Sequence, residues 1–291
     1  MDKGFQKALT ERIFLAEIQA KKIRPPLKWA GGKYQILENI KKLLPPGNRL
    51  IEPFVGSGVV FLNTNYKRYV LNDKNKDLIL FYKTIKKDGL TFISYCKKLF
   101  SEKNNNEDKF YSLRDEFNNT TNQFRKSALF LYINKHGYNG LCRYNSSGNL
   151  NVPFGRYKIP YFPEKEMYFF WQKSKRASLK SMDFESIMNK AKLGDIIYCD
   201  PPYDPLSTTS NFTSYSAGGF NKEMQERLAN VAYNQSLEGI PVLISNHSTP
   251  FINKIYEKAN KKVKFSVRRL ISCNGSKREY AKEILALYLP P

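Results

Sequence analysis

The tetrapeptide Asp200-Pro201-Pro202-Tyr203 follows directly on the apolar run Ile196 to Cys199. That run reads as a buried strand, so the motif falls at a strand's carboxyl end, the edge where open α/β sheets bind ligands. An amino group conjugated to a heteroaromatic ring is a poor nucleophile because its lone pair is delocalised. A carboxylate and a backbone carbonyl that accept its two N–H hydrogens draw it towards tetrahedral geometry and restore the lone pair. Asp200 and the carbonyl of Pro201 suit these parts, since a proline carbonyl accepts while its nitrogen cannot donate. Tyr203 would stack on the ring. The same four residues also suit a Pro-Pro turn capped by an aspartate, but after a strand the catalytic reading is the better one.

Two glycine motifs lie upstream. Glu52-Pro53-Phe54-Val55-Gly56-Ser57-Gly58 follows the short apolar run Leu50-Ile51 and precedes a helical pattern. Glycines there let the backbone approach a ligand closely and turn sharply into a helix, although the pattern is not the dinucleotide fingerprint and a ligand-free turn would use it too. Tyr69-Val70-Leu71-Asn72-Asp73 then ends on an acid fifteen residues after Gly58. By itself Asp73 suits a strand end or a helix cap; with the glycine turn before it, the stronger reading is an acceptor for two ribose hydroxyls. In Leu27-Lys28-Trp29-Ala30-Gly31-Gly32-Lys33 an aromatic stands beside a glycine pair. This suits a helix-initiating turn, or backbone N–H groups which, with Lys33, hold the carboxylate of an amino-acid cofactor.

Elements able to position these motifs are legible as an α/β chain. Short apolar runs at Leu50-Ile51, Tyr69 to Leu71, Asp195 to Cys199 and Pro241 to Ile244 read as buried strands separated by helical stretches. Val263 to Leu270 and Glu283 to Leu289 read as a closing antiparallel hairpin joined by a polar loop. Residues 5–22 have apolar positions every three to four residues, as a short amphipathic helix does, and Pro25-Pro26 stop it. From Lys76 to Pro163 no run reads as a buried parallel strand, and the composition turns to Asn, Tyr, Phe, Lys and Arg. We read this stretch as an insertion. Its centre, Asn134 to Asn149, interleaves aromatic, basic and amide side chains around glycines, a mixture suited to a ribbon that stacks on bases and bonds to their edges.

Composition narrows the function. The 291 residues are 41% hydrophobic and 14% aromatic, enough for one large domain or a domain with an insertion, which excludes a wholly disordered chain. Lys and Arg total 48 against 26 Asp and Glu, a formal charge of +22; such an excess suits a polyanion partner, or a lysine-rich solvated surface. The cysteines at 96, 142, 199 and 273 are too far apart for a redox or zinc motif, and His136 and His247 have no ligand-spaced neighbour. Reduced thiols in a cytoplasmic protein without a metal site are expected. Charges interrupt every apolar run from Met1 to Lys22, so neither a secretion signal nor a membrane span is expected there.

Together and in this order, the three motifs resemble the Dam-type, α-class (D12) adenine-N6 DNA methyltransferases that act at GATC. The likeness runs from about Pro26 to Pro290 and includes Asn134 to Asn145, Asn151 to Lys158, Asn211-Phe212-Thr213 and Ile244-Ser245-Asn246-His247. It implies a Rossmann-like, S-adenosylmethionine-dependent methyltransferase with a seven-stranded sheet and an inserted target-recognition domain. The divisions are then an amino-terminal extension (1–23), a cofactor-binding part (24–75), the inserted domain (76–163) and the part bearing the catalytic tetrapeptide (164–291). Carried over by position, Trp29, Ala30, Gly31, Lys33, Phe54, Gly56, Asp73 and Asp200 resemble cofactor contacts, and Asp200, Pro201 and Tyr203 the catalytic group. Lys28 resembles a base-contacting lysine, Leu141 a wedge into the base stack, and Arg143 a guanine reader. Tyr138 and Asn139 resemble residues that fill the gap left by a flipped base, and Arg156 a phosphate contact. Arg114, Asn145, Pro153 and Tyr157 complete the expected DNA surface. The implied partners are double-stranded DNA and S-adenosylmethionine, for a monomer in the cytoplasm of a bacterial or phage-infected cell. Ser57 and Leu206-Ser207 depart from some members of the family, none of them at a catalytic position.

Two rival classes share part of this pattern. An enzyme methylating cytosine N4, RNA or a release-factor glutamine uses the same amino-group chemistry, and Asp rather than Ser or Asn before Pro-Pro, with the long insertion, weighs against it. A DNA-binding regulator without turnover would not need Asp200 and both glycine motifs.

Overall fold

The computed structural model describes residues 22–203, 220–268 and 280–291. The helix expected over most of 5–22, the segments Leu206-Ser207 and Asn211-Phe212-Thr213, Cys273, and the loop after Arg268 lie outside the described residues.

Among the described residues seven strands form one sheet: β1 (Arg49–Glu52), β2 (Arg68–Asn72), β3 (Ala177–Lys180), β4 (Asp195–Cys199), β5 (Val242–His247), β6 (Lys261–Arg268) and β7 (Tyr280–Tyr288). Their order is β3-β2-β1-β4-β5-β7-β6. β1 to β5 run parallel, while β7 is antiparallel to both β5 and β6. The closing hairpin thus enters the sheet with its second strand between β5 and the edge strand β6. β3 was not foreseen. The seven-stranded α/β architecture is the one expected for this methyltransferase class.

Alternation along the strands builds two cores. Leu50, Tyr69, Leu71, Ile196, Tyr198 and Leu243 pack on one face, and Ile51, Val70, Ile197, Cys199, Val242 and Ile244 on the other. Strands buried on both faces read as continuous apolar runs, and for that reason they are visible in the sequence. Helices α1 (Leu37–Leu43) and α2 (Val59–Asn63) contribute Leu37, Ile40 and Phe61 to the first core, and the helices over Lys222–Leu237 and Pro250–Ile255 contribute Leu228, Ala232 and Ile252 to the second.

Residues between β2 and β3 supply much of the first. α3 (Lys76–Leu99), α4 (Glu107–Asn119), α5 (Gln123–His136) and α6 (Glu164–Ser174) bury Phe81, Phe92, Phe110, Phe130 and Phe170 in the same cluster as Leu50 and Tyr198. Asparagines start three of these helices: Asn75, Asn106 and Asn122 each accept a hydrogen bond from the backbone N–H three residues on, so part of the asparagine enrichment is helix capping. Gly89 breaks α3 at φ 46 and ψ −121, and Trp171 packs where a side chain would stand. After α5 the chain forms a narrow ribbon with antiparallel bridges Gly137↔Phe154 and Tyr144↔Leu150, in keeping with the hairpin expected there.

Candidate active site

Register brings the first pair together. β4 and β5 are parallel with Cys199 opposite Ile244, so the next residues, Asp200 and Ser245, meet at the carboxyl edge. The Ser245 hydroxyl donates to Asp200 Oδ1 at 2.8 Å. Lys33 Nζ lies 3.0 Å from the same oxygen, on a side chain only 5% exposed. That ammonium also donates to the Gly31 carbonyl and sits 4.3 Å from the centre of the Tyr203 ring. A buried charge needs such partners. Burial pushes the Asp200 carboxyl above its ordinary range, with the Lys33 ammonium and the Ser245 hydroxyl opposing the rise.

The tetrapeptide turn is pinned from behind. Gln225 Nε2 donates to the Pro202 carbonyl at 2.9 Å, and Asn246 Nδ2 donates to Gln225 Oε1 at 2.9 Å. Tyr203 donates its hydroxyl to Glu283 Oε2 at 3.2 Å and meets the His247 ring edge-on at 4.5 Å. Burial and the neighbouring carboxylates of Asp200 and Glu283 raise the Tyr203 phenol well above its usual value, so it stays protonated.

Neighbouring strands end on two further acids. Asp73, after β2, accepts from the N–H of Asn75 at 2.9 Å and of Gly56 at 3.0 Å; burial pushes its carboxyl up to about 6 against these bonds. Gly56 adopts φ +47, and a side chain there would meet the Trp29 indole at 3.0 Å. The glycine is thus required by conformation and by contact. Tyr82 donates to the Gly56 carbonyl at 2.7 Å, fixing the turn from the helix side. Glu52 ends β1, is 2% exposed and leaves Oε1 without a hydrogen-bond partner. Burial lifts its carboxyl to about 8, opposed by the Lys173 ammonium and aided by Asp200. Phe54 packs against Phe184 at 5.4 Å and Phe220 at 5.6 Å, making an aromatic cluster beside the same edge.

The cofactor residues expected from the sequence thus converge, with one difference of emphasis. Gly32 N–H donates to the Trp29 carbonyl at 3.3 Å, closing a turn in which Gly31 adopts φ 75, and Lys33 is already paired with Asp200. Ser245, Gln225, Glu283 and Glu52 were given no role in the sequence reading. Ser245, Gln225 and Glu283 lie distant in sequence from Asp200, Pro202 and Tyr203, which they support; the local signals are that Ser245 and Glu52 each stand just past an apolar run.

Most of the expected DNA-facing residues lie on the ribbon after α5, and Lys28 and Arg114 pack against it. Asn134 Oδ1 accepts from Lys28 N at 2.9 Å, and its Nδ2 donates to the carbonyls of Lys28 at 2.8 Å and Gly140 at 3.2 Å, while the Lys28 side chain fills the space beside Gly140. Lys28 Nζ stands 4.0 Å from the Tyr157 ring centre, and the Tyr157 hydroxyl accepts from Asn139 N at 2.9 Å. One amide therefore ties the Trp29 motif to the ribbon. Tyr138 is 52% exposed, and Asn139, Arg143, Pro153 and Arg156 are exposed as well. Asn139 and Arg156 both adopt φ 53, the left-handed region. Leu141 packs partly on the core. Arg143 Nε donates to the Asn151 carbonyl at 3.2 Å. Arg156 pairs with Glu107 at 3.3 Å in the open, an interaction of little strength. Arg114 donates to Asn151 Oδ1 at 3.2 Å and the Val152 carbonyl at 3.1 Å, and Asn145 Oδ1 accepts from Asn149 N at 2.9 Å. Both hold the ribbon's shape.

Among the described residues no group of His, Cys, Asp or Glu is placed to hold a metal ion, and no helix is long and apolar enough to cross a membrane. Cys96, Cys142 and Cys199 are buried free thiols.

An α/β sheet of this order with an Asp-Pro-Pro-Tyr turn at its carboxyl edge defines an amino-group methyltransferase. Residues 29–269 match the D12 class N6 adenine-specific DNA methyltransferase family. The chain is 50% identical over 269 residues to the DNA adenine methylase of Serratia marcescens, covering 92% of this chain and 99% of that protein. It is 48% identical over 270 residues to the DNA adenine methylase of Escherichia coli (strain K12), covering 93% and 97%, and 46% identical over 271 residues to that of Vibrio cholerae, covering 93% and 98%. The chain therefore belongs to the D12 class of N6 adenine-specific DNA methyltransferases, and its activity is the methylation of DNA adenine.

Proposed function

We propose that the chain transfers a methyl group from S-adenosylmethionine to adenine N6 in duplex GATC, after turning the target base out of the stack. The observation that carries this reading is the Lys33–Asp200–Ser245 cluster, with Tyr203 beside it, at the carboxyl end of β4. The edge fits the cofactor: Asp73 carries acceptor capacity beyond its backbone bonds for ribose hydroxyls, bare Gly56 lets the Trp29 ring close onto the turn, and the orphaned Glu52 Oε1 leaves an acceptor facing no protein donor. Phe54 and Trp29 supply aromatic surface, and the Ala30-Gly31 backbone with Lys33 suits the amino-acid end. S-adenosylmethionine supplies an electrophilic methyl group on a sulfonium.

The chain's own residues do the rest. Asp200 and the Pro201 carbonyl accept the two amino hydrogens and localise the nitrogen lone pair. On methyl transfer N6 sheds one hydrogen as a proton, and Asp200, its affinity for protons raised by burial, is placed to take it before release to water. Tyr203 stacks on the extruded base. Extrusion costs a few kcal/mol, offset by Tyr138 and Asn139 filling the vacancy and Leu141 wedging the stack. Arg143 reads a guanine through O6 and N7, Lys28 contacts a base, and Arg156, Arg114, Asn145, Pro153 and Tyr157 line the approach to the phosphates. Residues 76–163 act in this reading as the target-recognition domain inserted between the parts at 24–75 and 164–291, behind an extension at 1–23, in a cytoplasmic monomer. Incubating unmethylated plasmid with the protein and S-adenosylmethionine, then digesting with nucleases that distinguish methylated from unmethylated GATC, tests the proposal. Complete modification at GATC is expected; incorporated methyl groups with GATC left unmodified would contradict the assigned site.

A further inference from the structure

The opposite edge of the sheet carries a second concentration of charge. Near the amino-terminal ends of β1, β2 and β3 lies a cleft of about 530 Å³, and six of its ten lining residues are basic, Arg49, Lys67, Arg68, Lys86, Lys175 and Arg176, with none acidic. Part of this wall is built rather than loose. Arg49 Nε donates to Asp195 Oδ1 at 2.9 Å, Lys86 Nζ donates to the Ala177 carbonyl at 2.6 Å, and Arg176 Nη1 donates to Asn65 Oδ1 and the Tyr66 carbonyl, each at 3.4 Å. Lys67, Arg68 and Lys175 are exposed. Among the described residues the pair Arg49–Asp195 is the only ion pair these six cations make.

Register turns three of them into a row. Arg49 is opposite Arg68, and Tyr69 is opposite Ala177, which sets Arg176 beside Arg68 on the next strand. Adjacent strands stand about 4.8 Å apart, and like charges directly opposite repel. A self-repelling row with one carboxylate, Asp195, at its β4 end is stabilised by an anion laid across it. The row runs across three strands, so it matches a repeating anion better than a single small one, which would engage only one or two of the cations.

We propose that this cleft binds the phosphate backbone of a DNA segment other than the one whose adenine lies at the catalytic edge. The strands themselves separate the two places, because Asp200, Glu52 and Asp73 stand at their carboxyl ends and the arginine row at their amino ends. Long DNA then touches the protein at two edges, and a short duplex occupying the catalytic edge touches it at one.

The test is the double variant Lys67→Gln/Arg68→Gln, which alters two exposed side chains outside the catalytic machinery. Its kcat/KM and its DNA binding are measured on a single-site duplex too short to reach both edges and on plasmid-length DNA, across a range of salt. Unchanged activity on the short duplex is expected, which also reports an intact fold. For long DNA the expected result is about tenfold weaker binding at low salt and a log–log salt dependence flatter by about two, as losing two phosphate contacts produces. Equal effects on both DNAs, or none on either, would overturn the proposal. So would unchanged binding of long DNA with loss of thermal protection by pyrophosphate, since that pattern assigns the cleft to a free small anion.

Discussion

The carboxyl edge of the sheet and the ribbon from Gly137 to Tyr157 hold their functional side chains in opposite ways. At the edge the polar groups given catalytic and cofactor roles already have fixed partners: Asp200 has Lys33 and Ser245, Tyr203 has Glu283, and Asp73 has two backbone N–H groups. On the ribbon the backbone is held, by Asn134, Arg114 and Asn145, while Tyr138, Asn139, Arg143 and Arg156 stay exposed. The difference fits the roles proposed for each. Stabilising a developing charge needs acceptors in place before the reaction, so that no reorganisation is required during it. Reading base edges needs side chains that exchange water for DNA on arrival.

The sharpest way to break this comparison is at the edge. Asp200→Ala should lower the methyl-transfer rate by about 10²–10⁴-fold, the range for losing a positioned acid–base group, with DNA and cofactor affinity nearly unchanged because the interaction serves mainly the transition state. Rapid-quench rates and binding titrations check both halves, and near-normal turnover would remove Asp200 from the chemistry. Asp73→Ala should weaken S-adenosylmethionine binding by about 1–3 kcal/mol, the usual cost of leaving a charged hydrogen bond unmade. Calorimetry reads it, and an unchanged affinity would leave Asp73 only the task of bracing Gly56.

A subtler prediction concerns pH. Asp200 must be ionised to accept the amino hydrogen, and burial raises its pKa while Lys33 opposes the rise. Activity is therefore lost as pH falls through that raised value. Lys33→Gln removes the opposing charge, so the acid limb of the single-turnover profile at saturating cofactor should move to higher pH. A limb that stays in place would show that another group sets it.

Much of this architecture was visible in the residues. β1, β2, β4 and β5 are buried on both faces and read as apolar runs, and the first strand of the closing hairpin alternates in period two. β3 was hidden because Ala177-Ser178-Leu179-Lys180 is a four-residue edge strand with only two inward side chains. The stretch from Lys76 to Pro163 stands out by composition, but its helices α3 to α5, and the core they share with the sheet, do not. Motif residues could be named because turn chemistry is local. Their partners could not: Lys33 and Asp200 are far apart in sequence, as are Lys28 and Asn134, and only the fold brings them together.

The division of labour itself is tested most directly by rates on GATC and on each of its single-base variants, compared for the wild type, Arg156→Ala and Arg143→Ala. Arg156→Ala should weaken every site alike and flatten the salt dependence by about one, as one lost phosphate contact does. Arg143→Ala should instead lose about 1–3 kcal/mol of discrimination at a single base pair, so that sites altered there rise in the ranking towards GATC. If Arg143→Ala slows all sites equally and leaves the ranking untouched, then the ribbon only positions the DNA, and the assignment of sequence reading to it is wrong.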